Sequence, residues 1–181
     1  MVFLISHIFY HQFTYVFVII NYKSEILKSY FSEIRDSFKV KIINENKPLG
    51  TAGGLYFLKN RVKNHFFLTN CDTIINTNYH DILHFHLKEN NDLTAVVAKK
   101  LFSIPYGIFK NDKKKLYFTE KPKFKFRVNV GLYLLNKNIL NLLKRKQHLD
   151  FNTLLERSLK KDKKVGYYEI KDRDWIDVGQ M

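Results

Sequence analysis

Asp72 and Asp177 are the two carboxylates in this sequence best placed to do chemistry. Asp72 follows the apolar run His65-Phe66-Phe67-Leu68-Thr69, which puts it at the carboxyl edge of a buried strand, where open α/β sheets receive ligands. A carboxylate there can hold a hard cation against phosphate oxygens; it can equally form a turn or cap the next helix. Asp177 sits in Trp175-Ile176-Asp177-Val178-Gly179, an acid backed by an aromatic anchor and followed by a flexible Gly. Two carboxylates meeting at one cation would orient a phosphate and neutralise charge during phosphoryl transfer.

Three further segments carry residues of the right kind. Pro48-Leu49-Gly50-Thr51-Ala52-Gly53-Gly54 lets backbone approach a ligand and is expected to open a helix, a place for an anion or a flat base edge. It lacks the Lys-Ser/Thr ending of a P-loop and the spacing of a dinucleotide fingerprint. Glu120-Lys121-Pro122 is an acid-base pair fixed by Pro; the Lys would suit a phosphate and the Glu hydroxyl groups, or the whole is an exposed turn. Asn129 and Gly131 interrupt an apolar strand, as residues at a close ligand approach often do.

Two other constellations are weaker. His80 and His84 share a helical face, but the Glu of His-Glu-x-x-His is absent and His86 points elsewhere, which argues against zinc. Cys71 has no evident His partner and reads as a packed side chain; as the one cysteine it excludes a disulfide framework and fits a reducing compartment.

The elements that must position these residues follow from periodicity. Strands are expected at 15–20, 39–43, 65–69 and 93–98, with helices at 24–31, from about 54 to 59, and at 78–89. Alternation with short connections predicts a mostly parallel, Rossmann-like sheet with helices on both faces. Beyond residue 100 the grain changes to short strands at 106–109 and 116–118, joined by a polar turn, then a longer strand at 127–135. Helices at 137–145 and 151–160 and a strand at 164–170 complete the chain. With 181 residues and no linker, the chain reads as one domain over 1–181 with an insertion near residue 100.

Composition bounds the partners. Thirty-one Lys and Arg against 17 Asp and Glu give a net charge of +14, but the excess is scattered Lys and reads as solvated surface. No zinc-finger, KH or RNA-recognition signature accompanies it, so no nucleic-acid partner is expected. The apolar opening MVFLISHIFYHQFTYVFVII is interrupted by His7, His11 and Gln12, has no basic region before it and no cleavage pattern after it. It reads as a buried helix at 2–12 running into the first strand, in a cytoplasmic protein that engages no membrane.

Taken in order, Leu49-Gly50-Thr51-Ala52-Gly53, Asn70-Cys71-Asp72, Pro105-Tyr106-Gly107, Glu120-Lys121-Pro122, Asn129-Val130-Gly131 and Trp175-Ile176-Asp177-Val178-Gly179 resemble the nucleotidyltransferase family that makes nucleotide-sugars (NDP-sugar pyrophosphorylases). Within it the likeness is to mannose-1-phosphate guanylyltransferase-like enzymes, and it covers nearly the whole chain. The resemblance implies a nucleoside triphosphate and a sugar-1-phosphate as substrates and Mg²⁺ as cofactor. It puts Leu49 to Gly53 at the nucleobase and Asp72 and Asp177 on Mg²⁺. Tyr106, Gly107, Glu120 and Asn129 fall in the sugar pocket, with Lys121 at the sugar phosphate.

The departures from the family are also specific. Members begin with a strand and a Gly-rich loop bearing an Arg and a Lys, whereas this chain opens at what reads as the following helix. It also stops where relatives continue. An incomplete domain is therefore expected, with a homo-oligomer or a complementing chain as its protein partners. The alternatives are a catalytically impaired nucleotide or nucleotide-sugar binding remnant, and a glycosyltransferase-like enzyme using Asp172-Arg173-Asp174.

Overall fold

The computed structural model describes residues 15–21, 24–33, 39–113 and 115–180. The helix expected at 2–12 lies outside them. The β-branched run Tyr15–Ile20 forms β1, which pairs in parallel with β2 (Lys39–Asn44). Helix α1 (Ser24–Glu33) separates them in sequence and buries Phe31 among Val16, Val18, Val40 and Ile42. The loop after β2 leads into a single helical turn, α2 (Gly50–Gly53), continued by a 3₁₀ segment to Leu58.

Next come β3 (His65–Thr69), the short β4 (Thr73–Ile75), α3 (Tyr79–Lys88) and β5 (Leu93–Ser103). A hairpin of β6 (Ile108–Asp112) and β7 (Lys115–Thr119) precedes the 14-residue β8 (Lys123–Asn136). After a 3₁₀ segment at Lys137–Leu142 the chain forms α4 (Phe151–Lys160), β9 (Val165–Ile170) and β10 (Trp175–Asp177).

The sheets are mixed and largely antiparallel, not the mostly parallel Rossmann-like sheet that the alternation of elements predicts. The main sheet runs β3-β8-β5-β9, with β8 antiparallel to both neighbours and only β5–β9 parallel. The pairs β4–β10 and β6–β7 are antiparallel as well. The reason is the connection. A helical crossover such as α3 returns the chain in the same direction, but β5 reaches β8 through a hairpin, which returns it reversed. The backbone bond from the Ile104 N–H to the Pro122 carbonyl closes that return.

Each face of the main sheet carries its own core, as alternation along β8 requires. Tyr133 and Leu135 join Leu55, Ile139, Leu140 and the α4 residue Leu154 on one face. Val130, Leu132 and Leu134 pack with Tyr79 and Ile82 of α3 on the other. Full burial of a leucine such as Leu135 or Leu154 stabilises by roughly 1.5–3 kcal/mol, so β8 is the spine of the molecule. Among the described residues no helix is long and apolar enough to cross a membrane.

Candidate functional site

Asp72 and Asp177 are brought together by a strand pair too short to be visible in the periodicity. β10 pairs with β4 so that Asp177 lies opposite Thr73, and the Val178 N–H donates to the Asp72 carbonyl at 2.8 Å, extending the ladder by one step. The Trp175 indole N–H donates to the Thr73 hydroxyl, which donates to the Val130 carbonyl, tying this small sheet to β8. Lys100 lies over the Trp175 ring, 4.6 Å from its centre.

Gly179 lies against both acids. A Cβ at Gly179 would sit 3.2 Å from Asp72 Oδ2 and 3.3 Å from Asp177 Oδ1. Both oxygens therefore flank one point above that glycine, and its N–H donates to Asp177 Oδ1 at 3.1 Å. Among the described residues no third His, Cys, Asp or Glu joins them. Asp172 and Asp174 occupy a neighbouring 3₁₀ turn, where Asp174 contributes its carbonyl to the Asn76 N–H and its carboxylate faces Arg173 at 3.8 Å.

A cavity of about 350 Å³ has neither Asp72 nor Asp177 in its lining but reaches Asn70, two residues before Asp72. Asn70 lines it together with Asn129, Gly131 and Tyr133 of β8. Thr51 and the start of α4, from Asp150 to Asn152, supply the rest of the lining. The Asn129 amide is held at both ends: its nitrogen donates to the Tyr133 hydroxyl and its oxygen accepts the Gly131 N–H at 3.2 Å. Gly131 has φ +79°, and a Cβ there would meet Asn70 Nδ2 at 2.8 Å. The Tyr133 and Phe151 rings stack with centres 3.8 Å apart, and burial raises the Tyr133 pKa against the opposing hydrogen bond from Asn129.

The glycine loop is folded against the segment before α4. Ala52 and Gly53 N–H both donate to the Leu149 carbonyl, the Leu149 N–H to the Leu49 carbonyl, and the Thr51 N–H to Asp150 Oδ1. The Leu49 N–H donates to Glu45 Oε2, whose partner oxygen is buried with no hydrogen bond among the described residues; burial raises the pKa of this carboxyl. The N–H groups of Leu49, Thr51, Ala52 and Gly53 are thus committed within the protein. Its exposed side chain is Thr51, while Leu49, Ala52 and Gly53 are buried.

Gly50 is the glycine that conformation and space both demand. It has φ +74°, and a Cβ would lie 2.6 Å from both Asp150 Oδ1 and the Leu149 carbonyl oxygen. Gly50→Ala is therefore expected to destabilise the fold by about 2–4 kcal/mol, combining left-handed strain with a backbone clash. Urea unfolding of the variant checks this; a loss below about 0.5 kcal/mol would show that the loop relaxes freely.

The hairpin residues form a separate group. A Cβ at Gly107 would meet Glu120 Oε2 at 2.7 Å and the Phe118 ring, so these residues adjoin. Tyr106 is 71% exposed, Glu120 and Lys121 are exposed, and Lys121 has φ +44°. None of Tyr106, Gly107, Glu120 or Lys121 lines the cavity. The stretch of β8 from Lys123 to Asn129 rises about 20 Å, which separates the hairpin end of the ribbon from the cavity end. His80 and His84 are exposed on α3, His86 is fully buried, and Cys71 is exposed rather than packed.

Asp150 and Asn152 were not singled out in the sequence. An Asp directly before a helix reads as an N-cap, which hides any other role. Tyr133 does carry a signal in the sequence, because its spacing after Asn129 and Gly131 places it on the cavity face of the same strand.

Comparison with known proteins now gives these features a setting. The nucleotidyl transferase family profile matches residues 1–181. D-glycero-alpha-D-manno-heptose 1-phosphate guanylyltransferase of Campylobacter jejuni is 31% identical over 168 residues, covering 91% of this chain and 73% of that protein. Mannose-1-phosphate guanyltransferase of Gibberella zeae is 29% identical over 180 residues, covering 92% of this chain and 48% of that protein. The chain thus spans about half the length of the first curated relatives it matches. HddC from Yersinia pseudotuberculosis superposes with a TM-score of 0.74 over 97% of this chain and 78% of its own, at 22% identity, a likeness of fold. By the match over its whole length and the heptose-phosphate relative, the chain belongs to the nucleotidyl transferase family.

Proposed function

We propose that this protein is a sugar-1-phosphate nucleotidyltransferase, joining a nucleoside monophosphate unit to a sugar-1-phosphate with release of pyrophosphate. The observation that carries the reading is the convergence of Asp72 and Asp177 over Gly179, in a chain of this family. In the reaction a phosphate oxygen of the sugar-1-phosphate attacks the α-phosphorus of the triphosphate. The bond from that phosphorus to the bridging oxygen breaks, and pyrophosphate leaves with the electron pair. No covalent protein intermediate is needed, only alignment and charge neutralisation.

The donor set suits Mg²⁺, a cation that typically takes one or two carboxylates and completes its shell with water and substrate phosphates. Held by Asp72 and Asp177, Mg²⁺ would neutralise charge on the phosphate oxygens. The family's usual dependence on Mg²⁺ supports the same assignment. Asn129 in the cavity would orient sugar hydroxyls, whereas Tyr106, Gly107, Glu120 and Lys121, at the far end of the ribbon, are given no part in this pocket. The loop Leu49 to Gly53 would face the nucleotide, with Thr51 as its exposed side chain. Because the Campylobacter and Gibberella relatives are both named as guanylyl- or guanyltransferases, GTP is the first nucleotide to test.

Pyrophosphate release by the purified chain, with GTP and other triphosphates against mannose- and heptose-1-phosphates, decides the matter. Release that requires both substrates and disappears with EDTA is the expected result. Binding of both substrates without turnover would instead identify a nucleotide-sugar binding protein. Absence of both binding and turnover would overturn the reading.

A further inference from the structure

We propose that Asp150 is a specificity-determining acceptor in the sugar pocket, selecting sugars that present neutral hydroxyl groups at its position; this rests on the function proposed above. Among the described residues Asp150 is the only carboxylate in the cavity lining, where its polar neighbours include Asn70, Asn129 and Asn152. A volume of about 350 Å³ lies within the range of small-molecule sites, about 300–1,000 Å³.

The placement of Asp150 is unusual for its sequence position. It stands at the N-cap of α4, yet its side chain makes no capping hydrogen bond. Thr51, nearly a hundred residues earlier, meets part of that need: its hydroxyl accepts the Phe151 N–H at 2.8 Å. In exchange Asp150 Oδ1 accepts the Thr51 N–H at 3.3 Å, and Gly50 leaves room for that oxygen. The carboxylate is thereby turned from its own helix to Thr51, itself a residue of the cavity lining, and Oδ2 has no protein partner among the described residues.

An ionised carboxylate only accepts hydrogen bonds, so it favours a ligand edge rich in donors. Vicinal hydroxyls of a sugar ring supply two. A carboxylate or second phosphate on the ligand at the same place would be repelled. The neighbouring amides can donate to or accept from the remaining hydroxyls. Asp150 thus adds charge-assisted selectivity to a site whose other wall groups are neutral.

Asp150→Asn is the direct test, because the amide oxygen can still accept from Thr51 while the charge is lost. Dissociation constants for mannose-1-phosphate and GTP are measured on the full 181-residue chain, alongside thermal unfolding. The expected result is an approximately tenfold weaker sugar-1-phosphate complex, GTP affinity within about twofold and an unchanged unfolding midpoint. Deoxy analogues of the sugar phosphate give an independent readout: the analogue lacking the contacted hydroxyl should lose about tenfold with the native protein and little with the variant. Equal sugar affinity in the two proteins, or a loss confined to GTP, overturns the assignment of Asp150 alone. Failure of the native chain to bind any sugar-1-phosphate overturns the underlying function along with it.

Discussion

Replacing Asp72 with Asn is expected to lower Mg²⁺-dependent pyrophosphate release by about 10²–10³-fold, with Asp177→Asn falling in the same range. Both substitutions keep size and one acceptor oxygen, so the Asp177 variant can still take the Gly179 N–H and the β4–β10 ladder is untouched. What disappears is one negative charge in a pair held around a single point above Gly179. A hard cation at that point loses an ionic ligand, and the phosphate oxygens lose the neutralisation on which transfer depends. The Mg²⁺ concentration for half-maximal rate should rise as the maximal rate falls. Since the two acids would act on one ion, the double variant should be hardly slower than the worse single one. Asp172→Asn supplies the contrast, because that exposed acid lies on the adjacent turn. Undiminished turnover in both the Asp72 and Asp177 variants would sink the metal assignment. Loss in the Asp172 variant instead would favour the Asp-x-Asp reading.

The physical reasons for what the sequence disclosed differ from element to element. Tyr15–Ile20 and His65–Thr69 were readable as strands because β-branched and aromatic residues cluster there over a strand's length. Phe151–Lys160 was readable as a helix because Phe151, Leu154 and Ser158 share its buried face. The direction of β8 was not readable. Its apolar pattern is the same whichever way it pairs, and only the hairpin connection, read as an insertion, decides it. β4 and β10 are three residues each, below the length at which alternation carries information, and their partners lie about a hundred positions apart. The two acids were legible as candidates, but their convergence depended on that hidden pairing. The same limit explains Asp150, whose role changes from helix cap to cavity wall only because Thr51 lies across from it.

Lowering the pH from about 6.5 to about 4 is expected to remove about 3 kcal/mol of stability through His86 alone. This residue is fully buried between α3 and the main sheet. Its Nε2 lies 3.2 Å from His65 Nδ1 and its Nδ1 lies 2.8 Å from the Thr94 hydroxyl, which also accepts from the Asn91 amide. A consistent proton placement has Thr94 donating to Nδ1 and the His86 Nε2–H donating to His65, which leaves the His86 ring neutral. Burial, reinforced by the nearby His65 charge and opposed by Asp92, pushes the His86 pKa down to about 4. The unfolded chain, with an ordinary histidine pKa near 6.5, therefore binds more protons than the folded one throughout that window. The contribution is complete above about 6.5 and is lost as the pH falls through the window. The raised pKa of Glu45 has the opposite sign: its folded form holds a proton longer, so its contribution fades as pH rises through its own titration. Urea unfolding at several pH values, compared with His86→Gln, isolates the histidine, because glutamine keeps hydrogen-bonding capacity without titrating. The native protein should lose stability more steeply than the variant between pH 6.5 and pH 4. Parallel curves for the two proteins would show that His86 is not the buried base that makes this fold sensitive to acid.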